Sequence, residues 1–158
     1  VSSLYRYLNI PYKSAQLLVV GLQKGVVIDN EKNLSLLADS WLAARERGKA
    51  AAVLKRLAEK DSTGESDLKY GRVLFDLEKW QTSSEAFENS LQKLKGPKRG
   101  TAILMAGLAE FQLGRLKKAK FYLNKATDYK SEEKQALQWL NYLELIIEGK
   151  SVEQRAGS

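Results

Sequence analysis

Apolar residues recur along this chain at intervals of three and four, the spacing that gathers them on one side of a helix. In the stretch 107–126, GLAEFQLGRLKKAKFYLNKA, they do so on either side of Gly114. Strict apolar/polar alternation is scarce, β-branched runs are few, and the chain has two prolines. The pattern predicts an all-α protein. Breakers fall at residues 9–11, 28–33, 46–48 and 61–66, near 78, at 95–100, near 114, at 128–133 and from 149. They mark about nine segments of ordinary helix length, roughly 10–18 residues. Pro11 suits the first turn of a helix, where its missing N–H is not needed. Side-chain oxygens within 61–66 and at Ser131 are expected to cap helix starts.

The segments repeat. A small residue is followed four later by a large apolar one, and three further on by a small or apolar one. The motif reads Ala119–Leu123–Ala126, Ser83–Phe87–Ser90, Ala50–Leu54–Leu57 and Ala15–Val19–Leu22, with first positions 36, 33 and 35 residues apart. Upstream, Ala106-Gly107, Tyr70-Gly71 and Leu37-Ala38 keep step through shifts of 36 and 33, and Leu113 and Leu116 align with Leu77 and Trp80. Glycine inside a helix costs on the order of 1 kcal/mol relative to alanine. Gly71 and Gly107 therefore call for a reason, and close approach of a neighbouring helix supplies one. Each helix pair alone would expose an apolar face, so stacked neighbours provide the core.

These positions resemble the tetratricopeptide repeat, two antiparallel helices, A and B, in about 34 residues. The resemblance runs from about residue 5 to 147 and implies an all-α, α-α superhelix of the TPR-like solenoid type. It divides residues 1–148 into a partial N-terminal repeat (1–30), three repeats (31–63, 64–99, 100–130) and a capping helix (131–148), followed by a flexible tail (149–158). The copies are degenerate. Trp41, Leu74 and Glu110 stand at the family's tyrosine position, with Phe111 beside Glu110, and the closing proline is absent. Gly114 is expected to form the A–B turn. The last helix places Glu132, Glu133, Lys134, Gln138, Asn141 and Glu144 on a polar side and Ala136, Leu137, Leu140, Leu143 and Ile147 on an apolar one. "SSLYRYLN" at the start matches only the second half of a helix A, which reads as a start within a repeat of a longer array, with a natural short helix as the alternative.

Composition narrows the chemistry. The 158 residues are 44% hydrophobic and 28% charged, an ordinary globular balance. There is no Cys and no His, so no thiol nucleophile, disulfide, histidine base or His/Cys zinc site can be built. The acidic pairs Glu132/Glu133 and Glu65/Asp67 lie at helix starts, where they complement the positive helix end. No nucleophile or phosphate loop is visible, so no enzymatic activity, cofactor or metal is expected. The longest apolar run, 17–22, is far short of the roughly 20 residues of a membrane span. Residues 1–9 lack the charged-then-apolar pattern of a signal peptide.

The net charge is +7. Lys93, Lys95, Lys98, Arg99, Arg115, Lys117, Lys118, Lys120 and Lys125 concentrate the basic residues late in the chain. They read as a solvated convex face, with Lys117, Lys118 and Lys120 beside Ala119 and Phe121, both expected to be buried, so that no aromatic is interleaved as a base-stacking platform. No nucleic-acid partner is expected. A basic-face nucleic-acid or membrane-surface binder stands as one alternative, and a structural segment self-associating through its open N-terminal end as another. Trp41, Trp80 and Trp139 read as core.

The family resemblance implies a concave groove lined by the A helices. By repeat position it would comprise Leu36, Asp39 and Leu42; Lys69, Arg72, Phe75 and Asp76; and Leu104, Leu108, Phe111 and Gln112. That mixture suits an extended or helical protein segment. The family's carboxylate clamp wants Lys and Asn where Ser35, Asp39, Leu68 and Arg72 stand here, so chaperone tails are not the expected ligand. Longer phrases, "YLNIPYKSAQLLVVGLQKGVV", "NLSLLADSWLAAR", "DSTGESDLKYGRVLFDLEKW" and "ALQWLNYLE", are similar to tetratricopeptide proteins encoded beside TonB–ExbB–ExbD systems of Gram-negative gammaproteobacteria. That resemblance implies a non-enzymatic periplasmic adaptor with TonB/ExbB/ExbD-type partners, serving TonB-dependent uptake. A cytoplasmic location is the alternative.

Overall fold

The structure, a computed structural model, describes residues 10–156, so the half-helix read into residues 1–9 lies outside the described residues. Within that span there are eight helices and no strand. They are α1 (Pro11–Gln23), α2 (Glu31–Ala43), α3 (Arg47–Lys60), α4 (Glu65–Asp76), α5 (Trp80–Lys93), α6 (Lys98–Gln112), α7 (Leu116–Ala126) and α8 (Glu133–Ala156). Each packs chiefly on its neighbours in sequence, so the chain stacks as a solenoid of antiparallel pairs. The A helices are α2, α4, α6 and α8; the B helices are α1, α3, α5 and α7. Asp39–Lys69 and Phe111–Trp139 link successive A helices. Lys93 with α3 and Lys118 with α5 link successive B helices.

The repeated small residues lie where the helices meet. Ala15, Ala50, Ser83 and Ala119 are fully buried, as are Phe87 and Leu123 four residues on. Gly71 and Gly107 let the paired helix in: a Cβ on Gly71 would come within 2.6 Å of the Phe87 ring, and one on Gly107 within 3.1 Å of Leu123. Ser83 donates to the Gly71 carbonyl at 2.8 Å, so its hydroxyl is paired inside the contact.

The three A–B turns share one design. The residue at positive φ is Arg45 (60°), Glu78 (58°) and Gly114 (71°), spaced by the repeat. In each turn the following N–H reaches back five residues: Glu46 to the Trp41 carbonyl, Lys79 to Leu74 and Arg115 to Glu110, all at 2.9 Å. This pattern satisfies carbonyls that the helix end leaves open. Pro11 opens α1 as expected. At the start of α4 the Asp61 carboxylate accepts from the N–H groups of Thr63 (2.7 Å) and Ser66 (2.8 Å). Asn30 caps α2 by accepting from the Asn33 N–H at 2.9 Å. Ser131 does not cap α8; its hydroxyl lies 3.4 Å from Glu132.

Two expectations at the C-terminal end need correction. α8 continues to Ala156 rather than stopping at Gly149. Ala136, Leu140 and Leu143 are buried, but Leu137 and Ile147 are 47% and 38% exposed. A shift of 34 residues places Leu137 at the position of Ile103 in α6, which packs with Ala119, Leu123 and Ala126 of α7, and Ile147 at that of Leu113, just past the end of α6. Among the described residues no helix lies against that side of α8.

Candidate functional site

The A helices present three aligned rows. The first is Leu36, Lys69, Met105 and Trp139; the second is Asp39, Arg72, Leu108 and Tyr142; the third is Leu42, Phe75, Phe111 and Leu145. Shifts of 33, 36 and 34 residues generate each row. Most of the sequence-predicted groove residues belong to these rows, with Asp76 and Gln112 exposed beside the third. Leu36, Leu42 and Phe75 are half-buried and pack on the core.

Two assignments are corrected. Leu104 is only 3% exposed and packs with Leu123, Ala136 and Leu140 in the core, because it lies one helical step from the face. Its half-buried neighbour Met105 takes the place in the first row. Leu108 keeps its row but is 7% exposed, enclosed in the cluster that Phe111 and Trp139 pack against.

The face changes character along the solenoid. On α2 and α4 it is charged. Lys69 pairs with Asp39 at 3.5 Å, and Asp76 with Arg47 at 3.5 Å. Arg72 is exposed and has no ion pair among the described residues. Phe75 packs edge-on against Trp80, with centroids 4.7 Å apart. On α6 and α8 the face is aromatic. Phe111 lies 5.3 Å from Trp139 and 5.8 Å from Tyr142, and those two are 5.9 Å apart. Tyr142 is 52% exposed. A shallow hollow of about 400 Å³ opens beside Gln138, Trp139 and Tyr142. Sequence reasoning missed this cluster by treating α8 as a cap and Trp139 as core. The signal was the same repeat shift carried one step further.

Trp41 fits its expected place. It is buried, packs edge-on against Tyr12 at 5.4 Å and lies under the Lys49 ammonium at 4.6 Å. Trp80 and Trp139 are half-buried, so each keeps an edge at the surface.

Most of the late basic residues are engaged. Lys93 pairs with buried Asp67 at 2.7 Å and donates to the Ala58 and Asp61 carbonyls at the end of α3. Lys98 pairs with Glu65, Lys120 with Glu144, and Arg99 donates to the Leu91 and Leu94 carbonyls. Lys118 joins Glu88 at 2.7 Å to Glu110 at 3.1 Å. Glu110 is fully buried; Ser84 donates to it, and Arg115 approaches at 3.5 Å. Burial works to raise the Glu88 carboxyl, but hydrogen bonds from Lys118 and Tyr122 hold it below its usual value. The bond to Glu88 raises Lys118. Burial first, and then the bond to Glu88, push the Tyr122 hydroxyl up to about 12. The Phe121 expectation is overturned: it stands at the outward B-helix position of Ala52 and Glu85, is 53% exposed, and carries Lys125 over its ring at 4.4 Å. A polar groove of about 480 Å³ also runs along the B side between α3 and α5, over Asp67 and Tyr70.

Among the described residues no cluster of His, Cys, Asp or Glu could hold a metal, and no helix is long and apolar enough to cross a membrane. No family model and no curated protein matches the sequence. Solved structures do match. MamA superposes with a TM-score of 0.78 at 18% identity, over 99% of this chain and 88% of that one. A Podosopora anserina kinesin light chain protein with nearly identical TPR-like repeats gives 0.69 at 14% identity, over 98% and 87%. Pseudomonas aeruginosa PilF gives 0.67 at 20% identity, over 98% and 72%. The fold is the TPR-like helical solenoid. At these identities the likeness speaks to architecture alone.

Proposed function

We infer that the protein is a non-enzymatic interaction scaffold that binds a protein segment along the concave wall formed by its A helices. One observation carries this reading: the three rows expose an amphipathic strip, charged at α2–α4 and aromatic at α6–α8. Such a strip offers apolar shelves and charge partners without any catalytic constellation. The solenoid displays it on elements fixed by close helix contacts, so binding needs little ordering of the scaffold itself. MamA, PilF and the kinesin light chain protein lend support as proteins of the same architecture.

The finer reading places this scaffold in the periplasm as an accessory of a TonB–ExbB–ExbD-type system. Its support is the similarity of the sequence phrases quoted above. The test is affinity capture of TonB, ExbB and ExbD from a Gram-negative host with wild-type protein and with Arg72→Glu plus Phe111→Ala, fold verified by circular dichroism. Capture that is lost in the variant is expected. Equal capture by both proteins contradicts the groove, and absence of all three components from the wild-type eluate contradicts the TonB association. Fractionation of the host reports the compartment.

A further inference from the structure

The concave strip has two ends of different chemistry. At one, the guanidinium of Arg72 stands exposed while its neighbours are neutralised in pairs, Lys69 with Asp39 and Asp76 with Arg47. At the other, Phe111, Trp139 and Tyr142 form a ring cluster beside an open hollow of about 400 Å³. Arg72 and Tyr142 occupy the same row, with buried Leu108 between them as an apolar floor. Tyr142 is exposed, and Phe111 and Trp139 each keep an edge at the surface, so the cluster offers an apolar patch of the kind that marks interaction sites.

We propose that the strip is a two-point site for a protein segment that carries a large apolar side chain and a carboxylate. The apolar side chain seats on Phe111, Trp139 and Tyr142, and the carboxylate meets Arg72. This rests on the concave wall being the binding face. Charge complementarity selects the occupant. Among the described residues Arg72 is the groove cation left without an acid, and a guanidinium matches a carboxylate through a two-pronged contact. The chain's net charge of +7 attracts an acidic partner and opposes a second copy of itself. The aromatic end supplies anchoring area, and the arginine fixes direction and discriminates by sign.

A displayed library of random dodecapeptides, selected on the immobilised protein, tests this directly. Selection on the wild type should enrich sequences combining Asp or Glu with Phe, Trp or Leu. Synthetic versions should lose on the order of tenfold in affinity against Tyr142→Ser and against Arg72→Glu. Selection on Arg72→Glu should instead enrich Lys or Arg beside the same apolar residues, an exchange that a merely structural Arg72 would not produce. Binders that depend on the concave substitutions but carry no acidic residue would overturn the two-point identity while leaving groove binding in place. Binders indifferent to every concave substitution would overturn both. Conversion of a dimer to a monomer by Tyr142→Ser, seen in sedimentation, would assign the ring cluster to a second copy and also overturn the proposal.

Discussion

The ring of Phe87 occupies the space that any side chain at Gly71 would need. A Cβ built there would lie 2.6 Å from Cε1 and 2.7 Å from Cδ1. Phe87 is fully buried, so its ring has little room to retreat. Gly71→Ala should destabilise the protein by about 1–3 kcal/mol through overpacking, despite alanine's better helix propensity. Urea unfolding followed by circular dichroism measures it. Phe87→Leu in the same background should recover part of the loss, because the two substitutions share one contact. Gly107→Leu should cost a similar amount against Leu123 and Tyr122, which sit 3.1–3.2 Å from the added Cβ. Wild-type stability in Gly71→Ala would contradict the contact.

The A–B turns give a stabilising prediction. Arg45 and Glu78 hold the left-handed conformation that Gly114 takes at the equivalent place. For a residue with a Cβ that conformation costs roughly 1–2 kcal/mol, partly offset by the lower entropy of its unfolded chain relative to glycine. Arg45→Gly and Glu78→Gly should each raise stability by about 0.5–1 kcal/mol, and Gly114→Ala should lower it by a similar amount. Thermal melts of the three variants check the sign. A fall in melting temperature for both glycine substitutions would mean that the long side chains contribute more than the turn strain removes.

Much of the fold was legible because its demands fall on residue size. A helix pair as close as Gly71 and Phe87 requires something small at one repeat position and something large at another, and those requirements recur in the sequence. The groove was only partly legible. Leu104 and Met105 are both apolar and adjacent, so hydropathy alone does not decide which faces outward; one helical step separates core from surface. Trp139 and Tyr142 follow from Met105 and Leu108 by a further repeat shift. Their role depends on α8 acting as an A helix and not only as a cap. The lysines were the least legible. Lys93 and Asp67 are 26 residues apart and meet only because α4 and α5 are stacked. Phe121 looked buried by its company, yet its repeat position is the outward one.

Glu110 shows what a degenerate repeat position demands. A carboxylate stands at the repeat position of Trp41 and Leu74, fully buried, and draws Lys118 at 3.1 Å, Arg115 at 3.5 Å and the Ser84 hydroxyl around it. Lys118→Met should cost about 1–3 kcal/mol, because Glu110 would keep only Ser84 and a distant arginine. Adding Glu110→Gln removes the stranded charge, so the double variant should lose less than the sum of the single ones. Additive losses in denaturant unfolding would show that Lys118 does not compensate the buried acid.

The start of α4 carries a pH dependence. Burial alone would raise the Asp61 carboxyl, but hydrogen bonds from Thr63 and Ser66 hold it at about 2, against an ordinary 3.8. A folded-state value below the unfolded one contributes stability that is fully present above the ordinary value. That stability is lost as pH falls from about 4 toward 2, because the unfolded chain takes up the proton first. Asp61 is partly exposed, so the contribution is about 1 kcal/mol, comparable with other side-chain caps. Other carboxylates titrate in the same range, which makes the comparison with Asp61→Asn the informative measurement. Wild type should be the more stable at neutral pH, and its advantage should shrink across that acid window until the two unfolding midpoints meet. An advantage that stays constant down to pH 2 would mean that Asp61 acts through hydrogen bonds its neutral form makes equally well, and that its charge contributes nothing to the cap.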